Sequence, residues 1–303
     1  MVYDLIILGS GPAGLSGAVY SLRYNMNLLV IGMEMGTIVD AEKVDNYMGF
    51  PSISGVELAK KFTEHAEKLG AVIIREEIEN IKKDGDIYTV KTNKNKYESK
   101  SIIYALGGIK RKLKLESEKK FMGKGISYCA TCDAAFFKDK KVAVAGGGNA
   151  SVASALHLSK FASEVYIIYR REKLRAFPFF IKKAEDDPKI NIIYNSNIVE
   201  LKGENKLESI VIENSKDGKR TEMKMDGVFV EFGYEPNSDI AEKIGVEITE
   251  EGRIKVNEDM STNIKGFFAA GDVTTGSNRF NQLVTAAAEG AIASSSAYKF
   301  IIR

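Results

Sequence analysis

The chain has 303 residues, 44% hydrophobic and 28% charged, enough apolar material for roughly two domains of ~150 residues each. Forty-three basic residues against 41 acidic ones leave a net charge of +2, so no polyanion-binding surface and no nucleic-acid partner is expected. The N-terminal MVYDLIILGSGPAG lacks a basic leader, and no apolar stretch reaches the ~18 residues of a membrane span, so a cytoplasmic protein without a membrane partner is expected.

Asp4 to Leu8 reads as a short buried strand running into Gly9-Ser10-Gly11-Pro12-Ala13-Gly14, then a small-residue helix through Tyr20, then a second strand over Asn27–Ile31. Strand, glycine turn, helix, strand is the opening of a parallel βαβ unit. Gly11 lets a pyrophosphate approach the backbone and Gly14 lets the helix pack closely on the strand. The helix N-terminus turns its free N–H groups toward the phosphates. Glu34, about 20 residues on, is placed to accept a hydrogen bond from a ribose diol. Strands over Ile87–Thr92 and Tyr97–Leu106 flank a turn, the second ending at Gly107.

The only cysteines lie in Cys129-Ala130-Thr131-Cys132, followed by Asp133. The spacing is too short to staple a fold, and with only His65 and His157 in the chain a zinc site lacks a second ligand pair, so no metal is assigned. The pair reads as redox-active, with incidental packing or a metal as the alternatives. If Cys129 starts a helix its thiolate is stabilised there, and Asp133 can shuttle the proton. Both histidines fall in helical stretches and read as structural.

The opening pattern then recurs. Lys141–Ala145 is an apolar strand, Gly146-Gly147-Gly148-Asn149-Ala150-Ser151 a second glycine turn, and an Ala/Ser-rich helix leads to a strand over Glu164–Tyr169. Where selection of NAD would place an acid stands Tyr169, followed by Arg170, Arg171 and Arg175. Three guanidiniums there suit a 2′-phosphate, hence NADPH over NADH; the alternative is a solvated basic turn. A hairpin follows, with one strand over Leu207–Glu213 and a second over Thr221–Phe232 that ends at Gly233.

Thr262–Asp272 is a strand ending in Gly271-Asp272, whose carboxylate can accept from a sugar-like hydroxyl chain, and a helix runs from about Leu283 to Phe300. A strand and a helix are too small to fold alone, so the tail is expected to return to the first domain. The expected fold class is therefore α/β, with two Rossmann-like (three-layer ββα) dinucleotide-binding domains. Residues 1–112 with 239–303 are expected to form one dinucleotide-binding domain, and 113–238 a second, inserted one that carries the cysteine pair.

Together these residues resemble the low-molecular-weight thioredoxin reductase family of FAD-dependent disulfide oxidoreductases, over essentially the whole chain. CATCD at 129–133 and VAVAGGGN from Val142 carry most of the likeness, with GSGPAG at 9–14, GMEMG at 32–36, VDNYMGFP at 44–51, YRREKLR at 169–175 and TNIKGFFAAGD at 262–272. The resemblance implies FAD held by Gly9, Gly11, Gly14, Glu34 and Asp272, with Asn46 near the flavin ring and Pro12, Ala13, Gly107, Gly271 and Gln282 as further contacts. It implies NADPH at Gly146, Gly148, Asn149, Ala150 and the three arginines. Cys132 is then the flavin-facing thiol, Cys129 the thiol that attacks the partner, and Asp133 the proton carrier. A thioredoxin- or glutaredoxin-like protein partner and a homodimer are also implied.

The chain departs from the family pattern at several places. Gly36-Thr37-Ile38 stands for Gly-Gly-Gln, Asn281-Gln282 for Arg-Gln, Ala153-Ser154 for an acidic pair and Tyr169 for His. These bear on the donor, for which ferredoxin or another carrier is the alternative to NADPH. Oxidation of small dithiols and a non-catalytic flavin-binding regulator are the other readings.

Overall fold

In a computed structural model that describes residues 1–41 and 43–302, the chain divides into two compact units. One comprises Met1–Ile109 with Glu235–Arg303, the other Lys110–Tyr234. The boundaries fall a few residues before those expected, at 109/110 and 234/235, because the chain crosses on two short strands that pair with each other, β7 and β16 below.

The first unit opens with β1 (Val2–Leu8), α1 (Pro12–Arg23), β2 (Leu28–Ile31), α2 (Gly55–Lys68), β3 (Ile73–Ile74), β4 (Ile78–Asp84), β5 (Ile87–Thr92) and β6 (Lys96–Tyr104). Leu5 to Leu8 are all fully buried, as a strand covered on both faces must be. β1 lies parallel between β2 and β6, pairing Leu8 with Ile31 on one side and with Tyr104 on the other. After β7 (Gly108–Lys110) the chain leaves for the second unit.

That unit holds α3 (Glu118–Phe121), β8 (Ile126–Ser127), α4 (Ala130–Asp133), β9 (Lys141–Ala145), α5 (Asn149–Leu158), β10 (Glu164–Ile168), α6 (Pro178–Glu185) and β11 (Ile190–Ile193). It continues with β12 (Ser196–Lys202), β13 (Ser209–Asn214), β14 (Arg220–Lys224) and β15 (Gly227–Val230). Its parallel sheet has the order β11-β10-β9-β15-β8, and β12-β13-β14 form a separate antiparallel sheet. Residues of α4, α5 and α6 share one apolar core with β9 and β10, while β12 and β13 cover the other face. Helices, sheet and sheet are the three layers of a Rossmann-like unit.

The single strand expected over Thr221–Phe232 is two strands in two sheets. β14 pairs antiparallel with β13, and β15 pairs parallel with β9. The break falls where the Asp226 carboxylate accepts from the Lys141 amide at 3.0 Å and Met225 turns into the core. In the first unit β6 does both jobs unbroken, antiparallel to β5 and parallel to β1.

The tail returns through β16 (Tyr234–Pro236), α7 (Asp239–Lys243), β17 (Phe267–Ala269) and α8 (Leu283–Ile301), with β17 parallel to β6. α8 lies so close on α1 that a Cβ on Gly290 would sit 2.0 Å from the Ala13 carbonyl oxygen. Only glycine permits that approach, and it seats the tail against the first glycine turn. Among the described residues no helix is long and apolar enough to cross a membrane.

Candidate active site: two glycine turns and a cysteine pair

At the first turn Gly9 has φ +111°, and a Cβ there would lie 2.2 Å from the Ala105 carbonyl oxygen. A Cβ on Gly14 would lie 1.8 Å from the Gly9 oxygen, so the closeness of helix to strand requires glycine at both. Gly11 is the N-cap of α1, with no capping side chain and no acid in the first turn. α2, by contrast, is capped by Ser54, which accepts from the Glu57 amide. The first amides of α1 are thus left for an anion, with the helix dipole behind them.

Gly36 closes over this turn, its Cα 3.6 Å from the place a Cβ on Gly11 would take, and Ser10 donates to the Glu34 carbonyl at 2.7 Å. The Glu34 backbone is thus fixed beside the turn, with its side chain exposed. Gly271 (φ +84°) abuts Ala13, placing Gly271-Asp272 at the same helix start as Pro12. Burial raises the Asp272 carboxyl above its ordinary value, Arg253 opposes this and Glu289 adds to it. Asn46 donates to Gln282 at 2.9 Å, and the Gly107 carbonyl accepts from the Asn237 amide at 3.0 Å. The first unit thus brings Gly271 from the tail to the helix start that Gly9, Gly11 and Gly14 shape, and it also holds the separate Asn46–Gln282 and Gly107–Asn237 contacts. The fit to an elongated, anionic, polyhydroxylated dinucleotide such as FAD rests on that uncapped cradle.

The second turn repeats the geometry with different side chains. Gly148 is the uncapped N-cap of α5, and a Cβ there would meet nothing within 4 Å. Asn149 does not point free; its Oδ1 accepts from the Phe177 amide at 2.7 Å, while the Arg175 amide donates to the Gly147 carbonyl at 2.7 Å. The loop bearing Arg170, Arg171 and Arg175 is thus strapped over the turn with all three residues exposed, and Ala150 is exposed beside it.

The strand registers align the two units residue by residue. Leu8 pairs with Ile31 and Ala145 with Ile168, so Tyr169 occupies the place of Gly32. Gly9 abuts Ala105 as Gly146 abuts Glu231, so Glu231 takes the place of Ala105. The Tyr169 ring lies on Gly147, 2.4 Å from where its Cβ would be, and the Glu231 carboxylate is held by Ser154 at 2.7 Å.

Cys129 and Cys132 are joined as a disulfide. Cys129 is the N-cap of α4, its Sγ accepting from the Cys132 amide at 3.2 Å, and Ser127 ties its backbone at both the amide and the carbonyl. Next to it the Lys110 ammonium donates to the Tyr128 carbonyl at 2.5 Å, and the Tyr128 hydroxyl donates to the buried Glu118 carboxylate. Cys132 is exposed, Cys129 and Asp133 half-buried. A solvent-facing disulfide whose sulfur already accepts a backbone N–H can release a thiolate on reduction.

Residues 3–290 match the model of the family described as pyridine nucleotide-disulphide oxidoreductase. The chain belongs to that family. Within it the chain is similar to the thioredoxin reductase of Bacillus subtilis, 39% identical over 99% of this chain and 95% of that protein. The crystal structure of Lactococcus lactis thioredoxin reductase, 38% identical, superposes with a TM-score of 0.93 over 99% of both chains. A ferredoxin-flavin thioredoxin reductase from Clostridium acetobutylicum is 32% identical, with a TM-score of 0.52, covering 98% of this chain and 97% of that one. The relatives identify this member of the pyridine nucleotide-disulphide oxidoreductases with the low-molecular-weight thioredoxin reductases.

Several side chains of this site carry no motif. Gly32 and Gly36 lie at the two ends of GMEMG, but their roles show only in their contacts; Arg253, Thr274 and Glu289 give no spacing signal. Among the described residues no cluster of metal-ligating side chains is present.

Proposed function

We propose that this oxidoreductase transfers electrons from NADPH through FAD to the Cys129–Cys132 pair and on to the disulfide of a thioredoxin- or glutaredoxin-like protein. The observation that carries the reading is an exposed disulfide at a helix N-cap, in a chain with two uncapped dinucleotide turns. In this reading Gly9, Gly11, Pro12, Ala13, Gly14, Glu34, Asn46, Gly107, Gly271, Asp272 and Gln282 hold FAD in the first unit. Gly146, Gly148, Asn149, Ala150, Arg170, Arg171 and Arg175 hold NADPH in the second. Bound flavin supplies the exchange of a hydride for an electron pair that can open a disulfide.

The chain's own residues then act on the sulfurs. Reduction leaves one cysteine as thiolate and the other as thiol. One sulfur attacks the partner disulfide, expelling a partner thiolate, and the second resolves the mixed disulfide while the partner leaves reduced. Asp133 delivers the proton to the departing thiolate. The family likeness makes Cys129 the attacker; the exposures run the other way, with Cys132 the more open. Trapping decides the order: the single-cysteine variant that keeps the attacker forms a stable mixed disulfide with the partner. A cytoplasmic homodimer belongs to the same reading.

The test is anaerobic reduction of the purified yellow protein by NADPH, followed by turnover with a thioredoxin. Protein that takes up no FAD ends the proposal. A second reading keeps flavin and dithiol but draws electrons from a protein carrier such as ferredoxin. Tyr169 and Glu231, large and acidic where the first turn has Gly32 and Ala105, favour it, as does the likeness to a ferredoxin-flavin enzyme. Flavin reduction by ferredoxin that outpaces reduction by NADPH and NADH selects it.

A further inference from the structure

The segment Gly271–Thr274 is held from two sides by residues that no motif marks. Glu289, 4% exposed on α8, uses one carboxylate oxygen to accept from the Gly271 amide at 2.8 Å and from the Thr274 hydroxyl at 2.9 Å. From another part of the chain Arg253 Nη1 donates to the Asp272 carbonyl at 2.7 Å and to the Thr274 carbonyl at 3.2 Å. The loop closes over the acid, since a Cβ on Gly276 would fall 2.6 Å from Glu289 Oε1.

A carboxylate buried to this degree is costly unless it is hydrogen-bonded, and here Oε2 takes both bonds, one from the Gly271 backbone and one from the Thr274 hydroxyl. The held backbone carries Asp272 and lies against Ala13, at the start of the helix whose free amides face the cofactor. We infer that Glu289 is a positioning residue for the flavin dinucleotide. From beneath, it fixes the turn that presents Asp272 to the polyhydroxylated chain, with Arg253 as the clamp on the other side. The inference rests on the reading of the first unit as the FAD site.

The experiment titrates apoprotein with FAD, following flavin fluorescence and the visible flavin spectrum, for wild type, Glu289→Ala, Glu289→Gln and Thr274→Val. Glu289→Ala, which leaves the Gly271 amide without its acceptor, should weaken FAD binding about tenfold or more. Glu289→Gln retains an acceptor of the same reach and should restore affinity to within about threefold of wild type. Thr274→Val, a milder change that keeps the fold testable if Glu289→Ala unfolds, should weaken FAD binding about threefold. Binding of 2′,5′-ADP, a probe of the second unit, should not change in any variant. Glu289→Ala and Thr274→Val proteins that bind FAD within twofold of wild type overturn the inference. So does loss of 2′,5′-ADP binding in parallel with FAD, which marks a general structural role. Wild-type apoprotein that takes up no FAD overturns the underlying site reading as well, and is the one outcome that does both.

Discussion

Asn46 Nδ2 donates to Gln282 Oε1 across 2.9 Å, joining side chains 236 positions apart in sequence. Each had been marked separately by its motif, and the tail's return to the first unit brings them into one pair. Asn46→Ala removes an exposed hydrogen bond, so stability should change by no more than about 1 kcal/mol. Flavin reduction should slow by about tenfold if the pair orients the ring, a loss of ~1.4 kcal/mol in transition-state stabilisation. Thermal unfolding and stopped-flow flavin reduction, measured on the same preparation, check both halves.

Replacing Cys129 or Cys132 by Ser should abolish reduction of a protein disulfide, with residual turnover at least ~1000-fold below wild type, because neither sulfur can resolve alone. FAD content and reduction of flavin-accepting dyes should persist. Turnover with a thioredoxin and dye reduction, compared side by side, separate dithiol chemistry from flavin chemistry.

Gly14→Ala would drive a methyl group to 1.8 Å from the Gly9 carbonyl oxygen, which backbone can relieve only by moving α1 off β1. Overpacking of this kind costs about 1–3 kcal/mol or more, and here it also displaces the amides that face the phosphates. Apoprotein melting temperature and FAD content should both fall. A stable, fully flavinated Gly14→Ala protein contradicts the packing geometry.

Replacing Arg170, Arg171 and Arg175 together by Gln should raise the KM for NADPH by about 10- to 100-fold, each lost phosphate contact being worth roughly 1.5–3 kcal/mol when charge-assisted but less at exposed positions. The KM for NADH should scarcely move. Equal KM values for NADPH before and after the substitution leave the arginines as a solvated basic turn.

Asp272 sets a pH dependence whose sign follows from its raised pKa. Burial, and secondarily Glu289, hold its folded pKa above the unfolded value, with Arg253 only partly offsetting them. The folded apoprotein therefore binds the proton more tightly than the unfolded chain. The stabilisation from this group is present below the unfolded pKa near 3.8 and is lost as pH rises through the folded pKa. Asp272→Asn should thus melt higher than wild type as apoprotein at neutral pH, an advantage that narrows on acidification, while its FAD affinity drops. Melting curves of the two apoproteins from pH 4 to pH 8 report the narrowing.

Much of this is legible in the sequence. The two glycine turns, the CxxC pair with its aspartate, the Gly271-Asp272 strand end and the basic run after Tyr169 are local patterns. Each works because a single turn needs glycine or a helix start needs an open amide. β9 has the bounds read from its apolar run into the second glycine turn. The strand over Thr221–Phe232 failed because a hydrophobic run does not say which sheet it joins; a buried Met225 and the Asp226–Lys141 contact divide it.

The order of residues alone determined the α/β class, the duplication of the glycine-turn unit and the vicinal placement of the two cysteines, since all three follow from spacing within a few turns of chain. Tertiary structure decided which distant groups meet: Glu289 under Gly271, Arg253 beside Asp272, Gly36 over Gly11, and Tyr169 and Glu231 in the places of Gly32 and Ala105. Contacts between segments far apart leave no periodicity in sequence. They arise only once parallel strand pairing and the close seating of α8 on α1 have fixed the backbone.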